Sequence, residues 1–297
     1  MDTNKKKRIT AGGVTLHILM LLLSVCYILP LLLMISISLS SENSVINNGY
    51  RLIPAEWSMA AYKMAFQNPT QIINSYKVTA AQALLGTFLS LVVQTLMAYP
   101  LMRSEFRHKK FVTIYLMITM FFGGGMVPLY ILNTQYLRLG NTFWIYILPY
   151  LMSAWNVILF KTFFKGLPNG LVEAAKLDGA SEYQVYFRII LPLSTPIIAA
   201  QGFMILLAKW NDWNTSLLYI RNNNLYSLQY LLQRIINESD FIKNMQGTAM
   251  EGLVGTDMPS DTLRYATAVI AAGPMMIIFP FFQKYFAKGL VVGSVKG

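Results

Sequence analysis

The chain has 297 residues, 55% of them hydrophobic and only 12% charged, where a soluble domain carries roughly a quarter charged, so much of it cannot face water. Its 24 Lys and Arg against 13 Asp and Glu give a formal net charge of +11, but these basic residues are dispersed between apolar stretches, which argues against a nucleic-acid surface. One cysteine, Cys26, excludes an internal disulfide framework and a cysteine metal cluster, and His17 and His108 lack metal-ligand spacing.

A membrane-crossing helix needs about 20 mainly apolar residues. Six uncharged stretches approach or reach that length: residues 14–39, 78–101, 111–132, 142–160, 191–208 and 265–282. Lys5, Lys6, Lys7 and Arg8 precede the first, as they would a signal peptide. Its apolar run is longer than the usual 7–15 or so residues, and Ile35-Ser36-Ile37-Ser38 is a poor cleavage site, so a retained helix is predicted. Residues 40–77, with Asn47-Asn48-Gly49 and Pro54-Ala55-Glu56-Trp57, read as a connection or a partner surface. The second stretch carries Gln82 and Gln94, the fourth Asn156, the fifth Gln201, each suited to interhelical hydrogen bonding. Gly123-Gly124-Gly125 sits in the middle of the third, and Pro30, Pro128, Pro149, Pro274 and Pro280 each remove a backbone donor. Such breaks suit a moving pathway and a static kinked bundle equally. Residues 218–263 hold Asn222-Asn223-Asn224, a helical pattern over 225–236 and a Gly-rich acidic stretch. No connecting segment is long enough for a separate soluble domain.

Charge sets the predicted orientation. With the N-terminus inside, the inner segments hold four basic residues (Lys5 to Arg8), four (Arg103, Arg107, Lys109, Lys110), four (Lys161, Lys165, Lys176, Arg188) and three (Lys284, Lys288, Lys296), 15 of the 24. This asymmetry predicts an all-α membrane protein with six transmembrane helices and both termini cytoplasmic. No Gly-x-x-x-x-Gly-Lys-Ser/Thr phosphate loop and no His-Glu-x-x-His pattern occurs. No Asp, Glu, Lys or Arg falls within the six stretches, which argues against proton coupling and intramembrane catalysis. An ion-coupled secondary carrier and a membrane assembly protein stand as alternatives to an ATP-driven transport subunit.

The most informative segment joins the fourth and fifth stretches. A short helix starting near Asn169 should stop at Gly179, the usual residue for a left-handed C-terminal turn. A second should start at Ser181, with Gln184 completing a capping box, and end at Pro192. Ala174 and Ala175 keep the surface thin enough for a partner's backbone, and Glu173 and Asp178 offer charge to basic groups on it.

Glu173-Ala174-Ala175, then Asp178-Gly179-Ala180 and Ile190-Leu191-Pro192-Leu193, closely resembles the Glu-Ala-Ala loop of ABC importer permeases, in particular the sugar-importer branch and its maltose-type six-span subunit. Residues 288–297 resemble that subunit's C-terminal tail, and the resemblance covers essentially the whole chain. Phe122-Gly-Gly-Gly-Met-Val-Pro128 and Trp210-Asn211-Asp212-Trp213 resemble a branch that imports oligosaccharides from complex or acidic polysaccharides. The long outer segment before the last stretch departs from the compact maltose-type form.

The resemblance implies a type I ABC importer permease: one transmembrane domain over 1–297, with a cytoplasmic coupling loop at 164–192 and a tail at 288–297. It implies no bond chemistry in this chain, ATP and Mg being bound by two partner ATPases. The other implied partners are a second homologous permease, an extracytoplasmic sugar-binding protein, the oligosaccharide and membrane lipid, in the inner or plasma membrane of a prokaryote. Glu173, Ala174, Ala175, Asp178, Gly179 and Ala180 would couple to the ATPases, and Gly289, Gly293 and Lys296 would reach toward them. Those glycines and the lack of an apolar stripe predict an extended tail.

Sugar sites set aromatic faces against C–H surfaces and amides against hydroxyls. Trp210, Asn211, Trp213 and Asn214, with Asn156 and Trp155, offer both types. The tryptophans suit an interfacial belt equally well. Lys209 suits either a sugar carboxylate or snorkelling to the interface.

Overall fold

The computed structural model describes residues 11–245 and 261–293. In chain order the helices are α1 (Ala11–Ser38), α2 (Glu42–Asn48), α3 (Ala60–Ala65), α4 (Pro69–Met102), α5 (Lys109–Phe121), α6 (Met126–Ile131), α7 (Ala154–Lys165), α8 (Asn169–Leu177), α9 (Glu182–Val185), α10 (Leu191–Leu193), α11 (Thr195–Trp210), α12 (Asn214–Tyr219), α13 (Leu228–Met245) and α14 (Asp261–Gly293). Among the described residues there is no strand, only an isolated bridge between Ser40 and Trp57.

Among the described residues, three helices are long and apolar enough to cross a membrane, within α1, α4 and α14. The third, fourth and fifth predicted stretches are not single helices but bent pairs, at 111°, 50° and 77°. If each pair counts as one span, the total rises to six. The breaks have local causes. The three glycines before α6 are poor helix formers, and Gly125 takes φ +82. Pro149 falls within the second of two short 3-10 turns ahead of α7. The third break falls at Ser194, between α10 and α11, where Pro196 in the first turn of α11 cannot continue the preceding helix's bonding.

The predicted extended tail is overturned over residues 288–293, which continue α14 and include Gly289 and Gly293. Each residue added to an existing helix gains a backbone bond without a new nucleation cost, which offsets the ~1 kcal/mol penalty of a glycine. Lys296 lies outside the described residues, as does the Gly-rich acidic stretch after α13.

The chain divides into two compact units. The first comprises residues 1–67 and 234–272. Here the short helices of the predicted outer segment do structural work. Glu42, at the start of α2, accepts from the backbone N–H of Asp261 (2.9 Å) and of Thr262 (3.0 Å) and from the Thr262 hydroxyl (2.8 Å). Its carboxylate thus caps the positive end of α14 with charge-assisted bonds. Ser38 bonds to the Tyr62 hydroxyl at 2.9 Å, and Arg264 pairs with Asp240 at 2.7 Å. None of the most apolar window of α1 is buried.

The second unit comprises residues 68–233 and 273–297, with α7 and α11 packed on α4. Pro69 starts α4 where its missing N–H costs nothing. The buried face of α4 is small and polar, including Ser75, Thr79, Gln82, Gly86, Ser90 and Gln94. Leu84 and Phe88 stand on its exposed side. This inversion of a soluble helix fits hydrocarbon outside and small, hydrogen-bonding residues between helices. Gln82 donates to the Lys209 carbonyl at 2.7 Å and Gln94 to the Leu151 carbonyl at 2.9 Å. Both satisfy backbone acceptors that helix ends and breaks leave open.

Candidate functional site

The loop between α7 and α11 folds as its sequence directs. Asp178 caps α8, and Gly179 takes φ +80. The Gly179 N–H then donates to the Lys176 carbonyl (3.0 Å) and the Ala180 N–H to the Ala175 carbonyl (2.9 Å). This double closure is a Schellman turn. Ser181 and Gln184 exchange the two bonds of a capping box, at 2.8 and 3.3 Å. The second helix runs to Leu193 through its π-helical segment, with Pro192 inside its final turn.

The two helices have distinct faces. Val172, Val185, Tyr186 and Ile190 are buried in a core with Tyr99, Phe160 and Phe164. Ala175 and Ala180 pack partly against that core. Glu173, Ala174, Asp178 and Gly179 are exposed. So are Leu177 at 89% and Tyr183 at 75%, large apolar side chains that the described residues leave uncovered.

An ion cluster that sequence spacing could not reveal anchors the loop. Lys176 on α8 sits 2.8 Å from Glu182 on α9 and 3.1 Å from Glu105. Arg103, just past α4, lies 3.5 Å from Glu182 and 3.3 Å from Glu105. The Tyr99 hydroxyl donates to Glu182. The Lys176 hydrogen bond, with Arg103 beside it, holds the Glu105 carboxyl below its usual range. The hydrogen bonds to Glu182 and then Glu105 hold the Lys176 ammonium above its own.

A second feature is a cavity of about 460 Å³. Asn156, Asn211, Trp213 and Asn214 line it, together with Gln94 and Lys209. Two of the residues singled out in sequence are not in the lining. Trp210 is buried, with its ring 6.4 Å from that of Tyr76. Trp155 is exposed and outside the lining. Asn211 is partly committed within the chain, donating to the Leu207 carbonyl and accepting from Gln229. The snorkelling reading of Lys209 is overturned: its side chain is only 8% exposed. Helix α11 runs past the predicted end at residue 208, carrying the lysine inward where its stem meets Gly86.

Residues 78–292 match the family described as the binding-protein-dependent transport system inner membrane component. The polygalacturonan/rhamnogalacturonan transport system permease protein YtcP of Bacillus subtilis (strain 168) is 34% identical over 94% of this chain and 96% of its own length. Protein LplC of the same organism is 36% identical over 91% of this chain and 90% of its own. The fold is similar to that in a crystal structure of a bacterial ABC transporter involved in the import of the acidic polysaccharide alginate. That likeness has a TM-score of 0.76 at 24% identity, covering 96% of this chain and 99% of that one.

Proposed function

Because this chain belongs to the family of binding-protein-dependent transport system inner membrane components, a family of transport subunits rather than enzymes, we propose that it forms one half of an oligosaccharide pathway with a second homologous permease. Six spans cross the cell membrane with both termini cytoplasmic, in keeping with the 15 basic residues assigned to the inner side. A binding protein delivers the oligosaccharide from outside, and two separate ATPases power its passage. The segment 164–192 is the coupling loop within a single permease domain, and the end of α14 with residues 294–297 reaches toward the ATPases.

The observation that carries this reading is the capped pair α8 and α9. Its inner face is fixed to the core and its outer face presents Glu173, Ala174, Asp178, Leu177 and Tyr183 to solvent. A rigid projection with an apolar tip and a flanking carboxylate suits a groove with basic edges on an ATPase. As the ATPases close, the pair would swing with them and move α4, to which the ion cluster ties it.

Reconstitution tests this. The chain, purified with a second permease, ATPases and a binding protein from its own source, should hydrolyse ATP faster when sugar-loaded binding protein is added. It should also carry oligosaccharide into proteoliposomes. A chain that copurifies with no ATPase, or a complex that moves no sugar, would refute the assignment.

A further inference from the structure

Lys209 is a buried cation. Among the described residues no carboxylate lies within ion-pair distance of its ammonium. Its one hydrogen bond, to the Tyr146 carbonyl, is long at 3.4 Å. The carboxylate that shares the cavity, Asp212, accepts from the Thr215 N–H at 3.0 Å. An ammonium has three donors, so Lys209 keeps donors unspent beside an open cavity of about 460 Å³.

The surroundings hold the side chain there. A Cβ at position 86 would stand 2.8 Å from the Lys209 Cδ and Cε and 2.9 Å from Nζ, so Gly86 leaves the recess the stem occupies. The Gln82 amide fixes the Lys209 carbonyl at 2.7 Å. A residue needed only to fill that recess would be better apolar, because an under-partnered buried charge is costly. The rest of the lining suits a sugar. The Tyr150 ring centroid is 5.9 Å from the ammonium. The Gln94 Oε1 is buried and, among the described residues, has no donor.

We propose that Lys209 is an anion-recognition residue of the translocation cavity, pairing with the carboxylate of a uronate-containing oligosaccharide while Gln94 and Tyr150 meet its hydroxyls and ring face. This rests on the importer reading above and deepens it. Asp212 shares the cavity but lies beyond ion-pair distance of the ammonium, so the sugar carboxylate would supply the close partner that Asp212 does not. A neutral sugar of the same size would leave the ammonium as under-partnered as it is now.

The test uses the complete reconstituted complex with trigalacturonate and its methyl ester at saturating binding protein. Each uptake rate of Lys209→Met is divided by the wild-type rate for the same sugar, so that the binding protein's own preference cancels. Methionine keeps an unbranched stem in the Gly86 recess and removes the charge. The acid is expected to lose about tenfold more than the ester, the weight of one charge-assisted hydrogen bond. Lys209→Arg, which retains the charge, should lie between Lys209→Met and wild type in the same ratio. Equal losses for both sugars, or none for either, would overturn the anion site while leaving the importer reading intact. A wild-type complex that takes up neither sugar would overturn the uronate assignment, and only one that moves no oligosaccharide at all would overturn the importer reading with it.

Discussion

Two glycines illustrate how differently the same residue can be required. At Gly179 an added Cβ meets nothing within 4 Å, so the constraint is the backbone alone, at φ +80. A side chain there costs about 1–2 kcal/mol, relieved only by redirecting α8. Gly179→Val should therefore leave the chain in the membrane at wild-type level yet reduce ATPase copurification and sugar-stimulated hydrolysis. Gly179→Asn, which tolerates the left-handed region, should keep both. Wild-type coupling in the valine variant would remove this turn from the coupling element. Gly86 is the opposite case, because a Cβ there collides with the lysine stem. Gly86→Ala should displace the Lys209 head and lower the preference for the acidic sugar. Added to Lys209→Met it should cost no further preference, since neighbours that act as a unit are not additive. An additive double variant would separate the two residues. Asp178-Gly179 at a helix end is readable as a turn. Gly86 lies unmarked in an apolar stretch, and only the approach of α11 gives it a purpose.

At the scale of elements, the loop is held by charge as well as by its apolar face. Exposed ion pairs contribute little singly, but Arg103, Glu105, Lys176 and Glu182 form one connected network. Glu105 titrates below its usual range, so its contribution is present above the ordinary carboxylate pKa and is lost as pH falls through the depressed one. Lys176 titrates above its usual value, so its contribution is present below the ordinary ammonium pKa and is lost as pH rises through the raised one. The loop should thus be held tightly across neutral pH and loosen toward both acid and alkali. Protection from hydrogen exchange over residues 169–185, taken relative to the intrinsic rate at each pH, should fall at both extremes, and Lys176→Met should lower it at neutral pH without affecting the α4–α7 core. Unchanged exchange in that variant would mean that Val172, Val185 and Tyr186 alone hold the loop. The individual caps of α8 and α9 were legible because they depend on residues within four positions. The cluster joins residues more than 70 positions apart, and no local pattern records that.

For the molecule as a whole, the proposed topology rests on the charge distribution and can be probed directly. Cys26 is free and exposed on α1, so it must be replaced first. Single cysteines at Asn48 or Asn223 should then react with an impermeant maleimide in intact cells, and those at Lys109 or Lys176 only after lysis. Labelling at Lys176 from outside would invert the assignment and detach the loop from any cytoplasmic ATPase. The exposed sides of α1 and α4 carry large apolar residues such as Leu21, Leu84 and Phe88, the surface expected of helices that meet lipid or a second permease.

Composition and hydropathy alone determined that this is a helical membrane chain, because hydrocarbon imposes long uncharged runs that no folding detail can disguise. The helix pair at 169–193 was equally explicit, since turns and caps are written in adjacent residues. Continuity of the spans was not. An apolar stretch reads the same whether straight or bent by 111°, and glycines and prolines that permit a break do not dictate one. The cavity was legible only in part: Asn156, Asn211, Trp213 and Asn214 could be named from sequence, but Lys209 suited a sugar carboxylate and the interface equally. Its burial depends on Gly86, Gln82 and Tyr146 arriving from elsewhere in the chain. Only tertiary packing could decide that the charge points inward, because burial belongs to the neighbours and not to the residue.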